Sequence, residues 1–171
     1  MRITLAQCLS SADKMDWTVE KAVELGATAI APLDSARSQI RLDASRAARK
    51  HAHWRRIVEA ACLQSGRDHL PTVHATQALG PWLEQGWTGE PLRLVLDPLA
   101  EQRLTACADL ARHNSGGIVL LVGPESGLAP GEIEAAAHAG FRRVRLGSRV
   151  LRTETAGLAA LAALQALAGD F

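Results

Sequence analysis

Two short segments near the end of the chain carry the residue types best suited to holding a ligand. The first is Leu121-Val122-Gly123-Pro124-Glu125-Ser126-Gly127-Leu128. The second is Leu146-Gly147-Ser148-Arg149-Val150-Leu151-Arg152-Thr153-Glu154-Thr155-Ala156. Glycine lets main chain approach a ligand closely or take a positive φ, and Pro124 stiffens the first turn. Gly147 is expected to do in the second segment what Gly123 and Gly127 do in the first. Such a cradle offers main-chain N–H and C=O groups beside Leu128, Val150 and Leu151. That combination suits a flat apolar ring with polar edges, and an adenine has this character. The plain alternative is two ordinary strand-to-helix turns that happen to contain glycine.

Other chemistries lack their residues. Neither GxxxxGK[ST] nor GxGxxG occurs, which argues against a P-loop and a standard dinucleotide turn. The run from Gly123 reads G-x-x-S-G, not G-x-S-x-G, so Ser126 does not take the sharp turn of a hydrolase nucleophile. Cys8, Cys62 and Cys107 are odd in number and widely spaced. Without CxxC or HExxH they predict neither a metal site nor a disulfide framework. The six histidines show no ligand spacing. No apolar run approaches the ~18 residues of a membrane span, and the N-terminus lacks a signal-peptide pattern. A cytoplasmic protein with no membrane or metal partner is the expectation.

The elements that must position the two segments follow from periodicity. Apolar runs predict strands at Ile3–Cys8, Ala29–Leu33, Thr72–Ala75, Leu92–Leu96, Ile118–Val122 and Arg143–Leu146. Helices are expected over Asp13–Leu25, Ala44–Ser65, Gln77–Gln85, Leu99–Arg112, Pro130–Ala139 and Thr153–Ala168. Strands that alternate with helices predict a mostly parallel α/β sheet with helices on both faces, in one domain over 1–171. In such sheets ligands bind outside the carboxyl ends of the strands, where both glycine segments fall. Thr153 reads as the N-cap of the last helix, with Glu154 suited to its first turn. That helix is almost all Ala and Leu, which predicts burial and a place at a subunit interface. Only six residues are aromatic, so close helix packing is expected rather than a core of large rings.

The net charge of +1 hides an asymmetry. Residues 37–67 hold eight cationic side chains against Asp43 and Glu59. On the long helix Arg46, Arg49, His53 and Arg56 share one arc, beside an apolar arc of Ala47, Trp54, Val58 and Ala61. Sixteen of the nineteen cations are arginine, whose planar fork suits phosphates and base edges. A polyanion surface or a merely solvated helix face both fit this pattern.

The whole chain resembles the catalytic domain of the SPOUT methyltransferases, in particular the ribosomal RNA small subunit methyltransferase E family. The matching pieces are Asp13-Lys14-Met15-Asp16, Lys21-Ala22-Val23-Glu24-Leu25-Gly26, Ile30-Ala31-Pro32-Leu33 and Ser35-Ala36-Arg37-Ser38. Trp54 to Ala61, Gln64-Ser65-Gly66-Arg67 and the two glycine segments complete the set. The resemblance implies a deep trefoil knot in the C-terminal part, a homodimer with the active site at its interface, and S-adenosylmethionine as cofactor. It implies methylation of N3 of a uridine in small-subunit (16S) ribosomal RNA, with the 30S subunit as partner. The alternatives are methylation of another RNA, such as transfer RNA, or a non-catalytic knotted module for RNA binding or dimerisation. Two departures stand out. The family turn reads Gly-Pro-Glu-Gly-Gly-Leu where this chain has Ser126. The family's small N-terminal β-barrel that binds RNA is not expected here.

By this resemblance the cofactor cradle comprises Leu96 and Pro98, then Gly123, Glu125, Gly127 and Leu128, then Leu146, Gly147, Ser148, Val150, Leu151 and Thr155. Arg152 is the residue implied to orient the uracil or stabilise its anion. Glu154 is the candidate base, or else a helix-dipole partner, and Glu125 could instead hold its loop closed. Arg37, Gln64 and Arg67 are implied to contact RNA across the dimer, with a loop-to-helix salt bridge the alternative for Arg37.

Overall fold

The computed structural model describes residues 1–169 and 171. Its strands are β1 (Ile3–Cys8), β2 (Ala29–Asp34), β3 (Thr72–Val73), β4 (Gln77–Ala78), β5 (Leu92–Leu96), β6 (Ile118–Val122) and β7 (Arg142–Val144). All named pairings are parallel, in the order β3-β2-β1-β6-β5-β7, with β4 also pairing with β2. The α-helices are α1 (Ala12–Glu24), α2 (Ala44–Ser65), α3 (Leu79–Glu84), α4 (Ala108–His113), α5 (Pro130–His138) and α6 (Thr153–Ala168).

Alternation along the strands builds two cores. Ile3, Leu5, Ile30, Leu94, Ile118 and Leu120 face one side, where α1, α2, α4 and α6 supply Val19, Val23, Trp54, Val58, Ala111, Leu161 and Leu164. Ala6, Cys8, Ala31, Leu33, Val95, Val119 and Leu121 face the other, covered from α3 and α5 by Leu79, Trp82, Leu83 and Ala136. Strands buried on both faces read as continuous apolar runs, which is why β1, β5 and β6 have the bounds expected from sequence. The first core is built mainly of aliphatic side chains around Trp54, whereas Trp82, Trp87 and Phe141 form a ring cluster in the second, with centroids 5.0–5.8 Å apart.

Several expected elements are cut short by tertiary pairing. The segment 99–112 is not one helix. Arg103 forms a parallel bridge with Arg145, and the Leu104 N–H donates to the Arg145 carbonyl at 2.9 Å. A 3-10 turn over Leu104–Cys107 then leads into α4. Gln77 and Ala78 leave the expected third helix to pair with Leu33 and Asp34. The β3 strand stops at Val73, and β7 covers Arg142–Val144 rather than 143–146. Thr153 is not an N-cap: Arg152 holds that position, with no side-chain cap, and Thr153 is the first helical residue.

Candidate functional site

The two glycine segments lie at the carboxyl ends of β6 and β7, and the end of β5 lies between them. Together they line a cleft of about 510 Å³, a size usual for small-molecule sites. Leu96 and Pro98 form one wall. Gly123, Glu125, Gly127 and Leu128 form a second, and Leu146, Gly147, Val150 and Leu151 a third. Ile133 from α5 adds an apolar surface. Among the twelve expected cradle residues, Ser148 and Thr155 are the two outside this lining. Ser148 is exposed between Gly147 and Arg149, and Thr155 is exposed on the first turn of α6.

The first loop is shaped by its glycines. Gly127 has φ +69°, a value that an L side chain rarely adopts, and its N–H donates to the Pro124 carbonyl at 2.9 Å. A Cβ on Gly123 would stand 3.0 Å from the backbone nitrogen of Leu128. Ser126 is spared: Glu90 is the one non-glycine residue at positive φ among the described residues. The departure at Ser126 therefore carries no backbone strain. Gly147 differs from expectation. It has no positive φ, and a Cβ there would meet no protein atom within 4 Å. Nothing in the protein's own packing demands glycine at that point of the cleft.

Charged groups tie the walls to the scaffold. Asp97, 7% exposed, accepts from Arg143 Nε at 2.8 Å and Nη2 at 2.7 Å. It also accepts from the Leu99 N–H at 2.9 Å. This carboxylate clamps the end of β5 to β7. Glu125 points back to the β1–α1 junction, where it accepts from the Ser11 N–H and from Lys14 Nζ, both at 3.2 Å. Burial alone would raise the Glu125 pKa. The amides of Glu125 and Ser11 and the Lys14 ammonium outweigh it and hold the carboxyl below its usual range. Glu125 thus ties the first loop to the start of α1. Lys14 also lies 3.9 Å from Glu154 Oε2, so one ammonium serves carboxylates from both segments. Lys14 escapes sequence reasoning because its partners are 111 and 140 residues away.

Arg152 is exposed beside the cleft, and its carbonyl accepts from the Thr155 and Ala156 amides. Glu154 Oε2 is buried and has no hydrogen-bond partner. Arg37 lines the cleft and donates from Nη1 to the Ser126 carbonyl at 3.3 Å and the Leu128 carbonyl at 3.5 Å. Its neighbour Ala36 is held by Glu132, which also accepts from the Ala129 amide at the start of α5. Gln64 is exposed near the end of α2. Arg67 Nη1 is committed to the Val23 and Ala27 carbonyls at 2.7 and 2.8 Å, a tie between α2 and α1.

Burial pushes the Cys8 thiol up to about 12, so it stays protonated. Among the described residues no three His, Cys, Asp or Glu side chains gather where they could hold a metal ion. No helix among them is long and apolar enough to cross a membrane. The cleft instead offers apolar walls, main-chain polar edges and cationic groups on its rim. That arrangement can bind a flat ligand and present it to an anionic partner.

Comparison with known proteins gives a consistent picture. The family model of an RNA methyltransferase domain matches residues 1–165. Ribosomal RNA small subunit methyltransferase E of Buchnera aphidicola is 34% identical over 168 residues, which is 98% of this chain and 66% of the relative. The crystal structure of ribosomal RNA small subunit methyltransferase E from Neisseria gonorrhoeae bound to S-adenosyl methionine is 44% identical. It superposes with a TM-score of 0.90 over all of this chain and 68% of its own. A methyltransferase from Legionella pneumophila in complex with SAM is 34% identical, again with a TM-score of 0.90. The chain spans about two thirds of the length of the curated relatives it matches.

Proposed function

The chain belongs to the ribosomal RNA small subunit methyltransferase E family, and on that premise we propose that it binds S-adenosylmethionine and methylates N3 of a uridine in 16S ribosomal RNA. The observation that carries this reading is the convergence of both glycine segments on one cleft. The residues fit the cofactor. Leu96, Leu128, Leu146, Val150 and Leu151 suit an adenine ring, and the bare face of Gly147 leaves room for a ligand to press against main chain. When bound, the cofactor supplies an electrophilic methyl group on a sulfonium.

The chain's own residues must then place the uracil and take its imide proton. Placement alone lowers a barrier by roughly 7–11 kcal/mol in well-oriented systems. We assign orientation of the uracil and stabilisation of its anion to Arg152. We assign the N3 proton to the Glu154 carboxylate, whose Oε2 accepts no hydrogen bond and is 3.9 Å from Lys14 Nζ. Lys14 and Glu125 keep the loops in register. Gln64, exposed on α2, and the guanidinium nitrogens that Arg37 and Arg67 leave outside their carbonyl contacts are the RNA contacts of this reading. A homodimer and a knotted C-terminal part belong to the same reading. After β7, at the edge of the sheet, the chain returns to lay α6 against β6, β1 and α1, a path that supports the knot. Sedimentation at twice 18.2 kDa checks the dimer.

Calorimetric titration with S-adenosylmethionine is the first test, and no heat at millimolar ligand overturns the reading. Methylation of 30S subunits with the modified nucleotide mapped is the second. Label on a base other than uridine, or on transfer RNA instead, overturns the substrate.

A further inference from the structure

The two loops of the cleft are joined beneath its floor by one buried polar chain. Gln7 lies in β1 and is 1% exposed. Its Nε2 donates to Thr153 Oγ1 at 2.8 Å and to the Cys8 carbonyl at 3.2 Å. Thr153 Oγ1 in turn donates to the Gly123 carbonyl at 2.5 Å. Thr153 closes the second loop and Gly123 opens the first. A side chain from the central sheet therefore governs a contact between the loops without itself lining the cleft.

The direction of these bonds follows from their chemistry. A carbonyl oxygen only accepts, so the amide atom beside the Cys8 carbonyl is the NH2 of Gln7. That NH2 occupies a lone pair of the Thr153 hydroxyl, whose single proton is left for Gly123. Gln7 Oε1 is buried without a partner. An orphan acceptor in a core is a cost that an apolar side chain of similar size avoids. Gly157 on α6 makes the slot: a Cβ there would stand 3.1 Å from Gln7 Oε1 and 3.4 Å from Leu5 Cδ1. The fold keeps a polar group where packing alone favours a hydrophobe.

We propose that Gln7 is a positioning residue of the cleft: it directs the Thr153 hydroxyl onto the Gly123 carbonyl and so fixes the spacing of the two loops. The identity of the ligand rests on the S-adenosylmethionine reading; the loop geometry does not.

The test compares Gln7→Met, Thr153→Val, Thr153→Ser and the double variant Gln7→Met/Thr153→Val in the full chain. Amide exchange over 123–128 and 146–156 reads the loops, and titration with S-adenosylmethionine reads the ligand. Losing one hydrogen bond predicts about a five- to tenfold rise in loop exchange and in the dissociation constant for Gln7→Met and Thr153→Val. Amides of β1 and β6 keep their protection. Thr153→Ser retains the hydroxyl and stays close to the parent. The double variant is no worse than Thr153→Val alone, because the effect of Gln7 runs through that hydroxyl. Unchanged loop exchange in Thr153→Val, or additive effects in the double variant, overturns the proposal. If the parent shows no binding of S-adenosylmethionine, the functional reading falls while the exchange data still decide the role of Gln7. If Gln7→Met does not fold, Gln7→Asn, whose amide is one methylene too short to reach Thr153, takes its place, and unchanged loop exchange in that variant overturns the proposal.

Discussion

On the function proposed above, Arg152 serves the chemistry of the cleft and Glu125 its geometry, and each role can be tested alone. Arg152 lies outside the cleft lining, at the start of α6, so Arg152→Ala should leave cofactor binding intact. Loss of a single group that stabilises developing charge costs about 10²–10³ in rate. We expect methyl incorporation into 30S subunits to fall by that factor with an unchanged dissociation constant for S-adenosylmethionine. Full activity removes Arg152 from the chemistry. Glu125 acts through Ser11 and Lys14, and its carboxyl titrates below its usual range. The folded protein therefore binds fewer protons at this site than the unfolded chain. Its stabilisation is complete above the unfolded pKa, near 4.3, and is lost as pH falls through the folded value. Chemical denaturation between roughly pH 5 and pH 3 should show a shallower loss of stability in Glu125→Gln than in the parent. Equal slopes refute the tie. The glycines and Arg152 were legible in the sequence as residue types. The side chains that tie the loops to the scaffold were not, because Lys14, Gln7 and Asp97 find their partners far along the chain. Gln7 did leave a signal: it is a polar residue inside an otherwise buried strand.

The β5–β7 pairing shows how far elements follow from local pattern. Strands β1, β5 and β6 and helices α2 and α6 keep the bounds expected from sequence, since each has enough apolar surface to declare its period. Segment 99–112 does not, because Arg103 and Leu104 pair with Arg145 across 41 or more residues. Thr153 resembles an N-cap by type, yet its hydroxyl is taken by Gly123 and Gln7. Long-range partners outcompete local propensity at both places. The clamp that holds the short β7 strand is Asp97 with Arg143, and the carboxylate is only 8% exposed. Arg143→Ala leaves that buried charge with just the Leu99 amide as donor, a loss of about 3 kcal/mol. For a chain of this length the melting temperature should fall by about 6–12 °C. Thermal denaturation followed by circular dichroism measures it. An Arg143→Ala/Asp97→Asn pair should recover part of the loss, since no buried charge is then left alone. Affinity for S-adenosylmethionine should weaken with the clamp, because Leu96 and Pro98 form one wall of the cleft.

For the proposed RNA substrate, the distribution of charge over the molecule sets where the two would meet. With a net charge of +1 the protein has no strong overall field to draw in a polyanion, so attraction must come from a local surface. Helix α2 provides one. Its inner side buries Trp54, Val58, Ala61 and Cys62, and its outer side exposes Arg46, Arg49, Arg55 and Arg56. Arg46 pairs with Asp43 at 3.4 Å, whereas Arg49, Arg55 and Arg56 have no ion-pair partner among the described residues. Exposed guanidinium groups without a carboxylate are free to neutralise phosphates. Each phosphate so neutralised contributes about 0.7–0.9 to the slope of log affinity against log salt. We therefore expect Arg46→Ala/Arg49→Ala/Arg56→Ala to weaken binding to 16S ribosomal RNA fragments at low salt and to flatten that slope by about two to three units. Binding of S-adenosylmethionine should stay unchanged, since none of the three lines the cleft. Filter binding over a salt series measures both quantities. A parent and variant with the same slope would mean that α2 presents a solvated face, and that RNA meets the protein through Arg37 and the cleft rim alone.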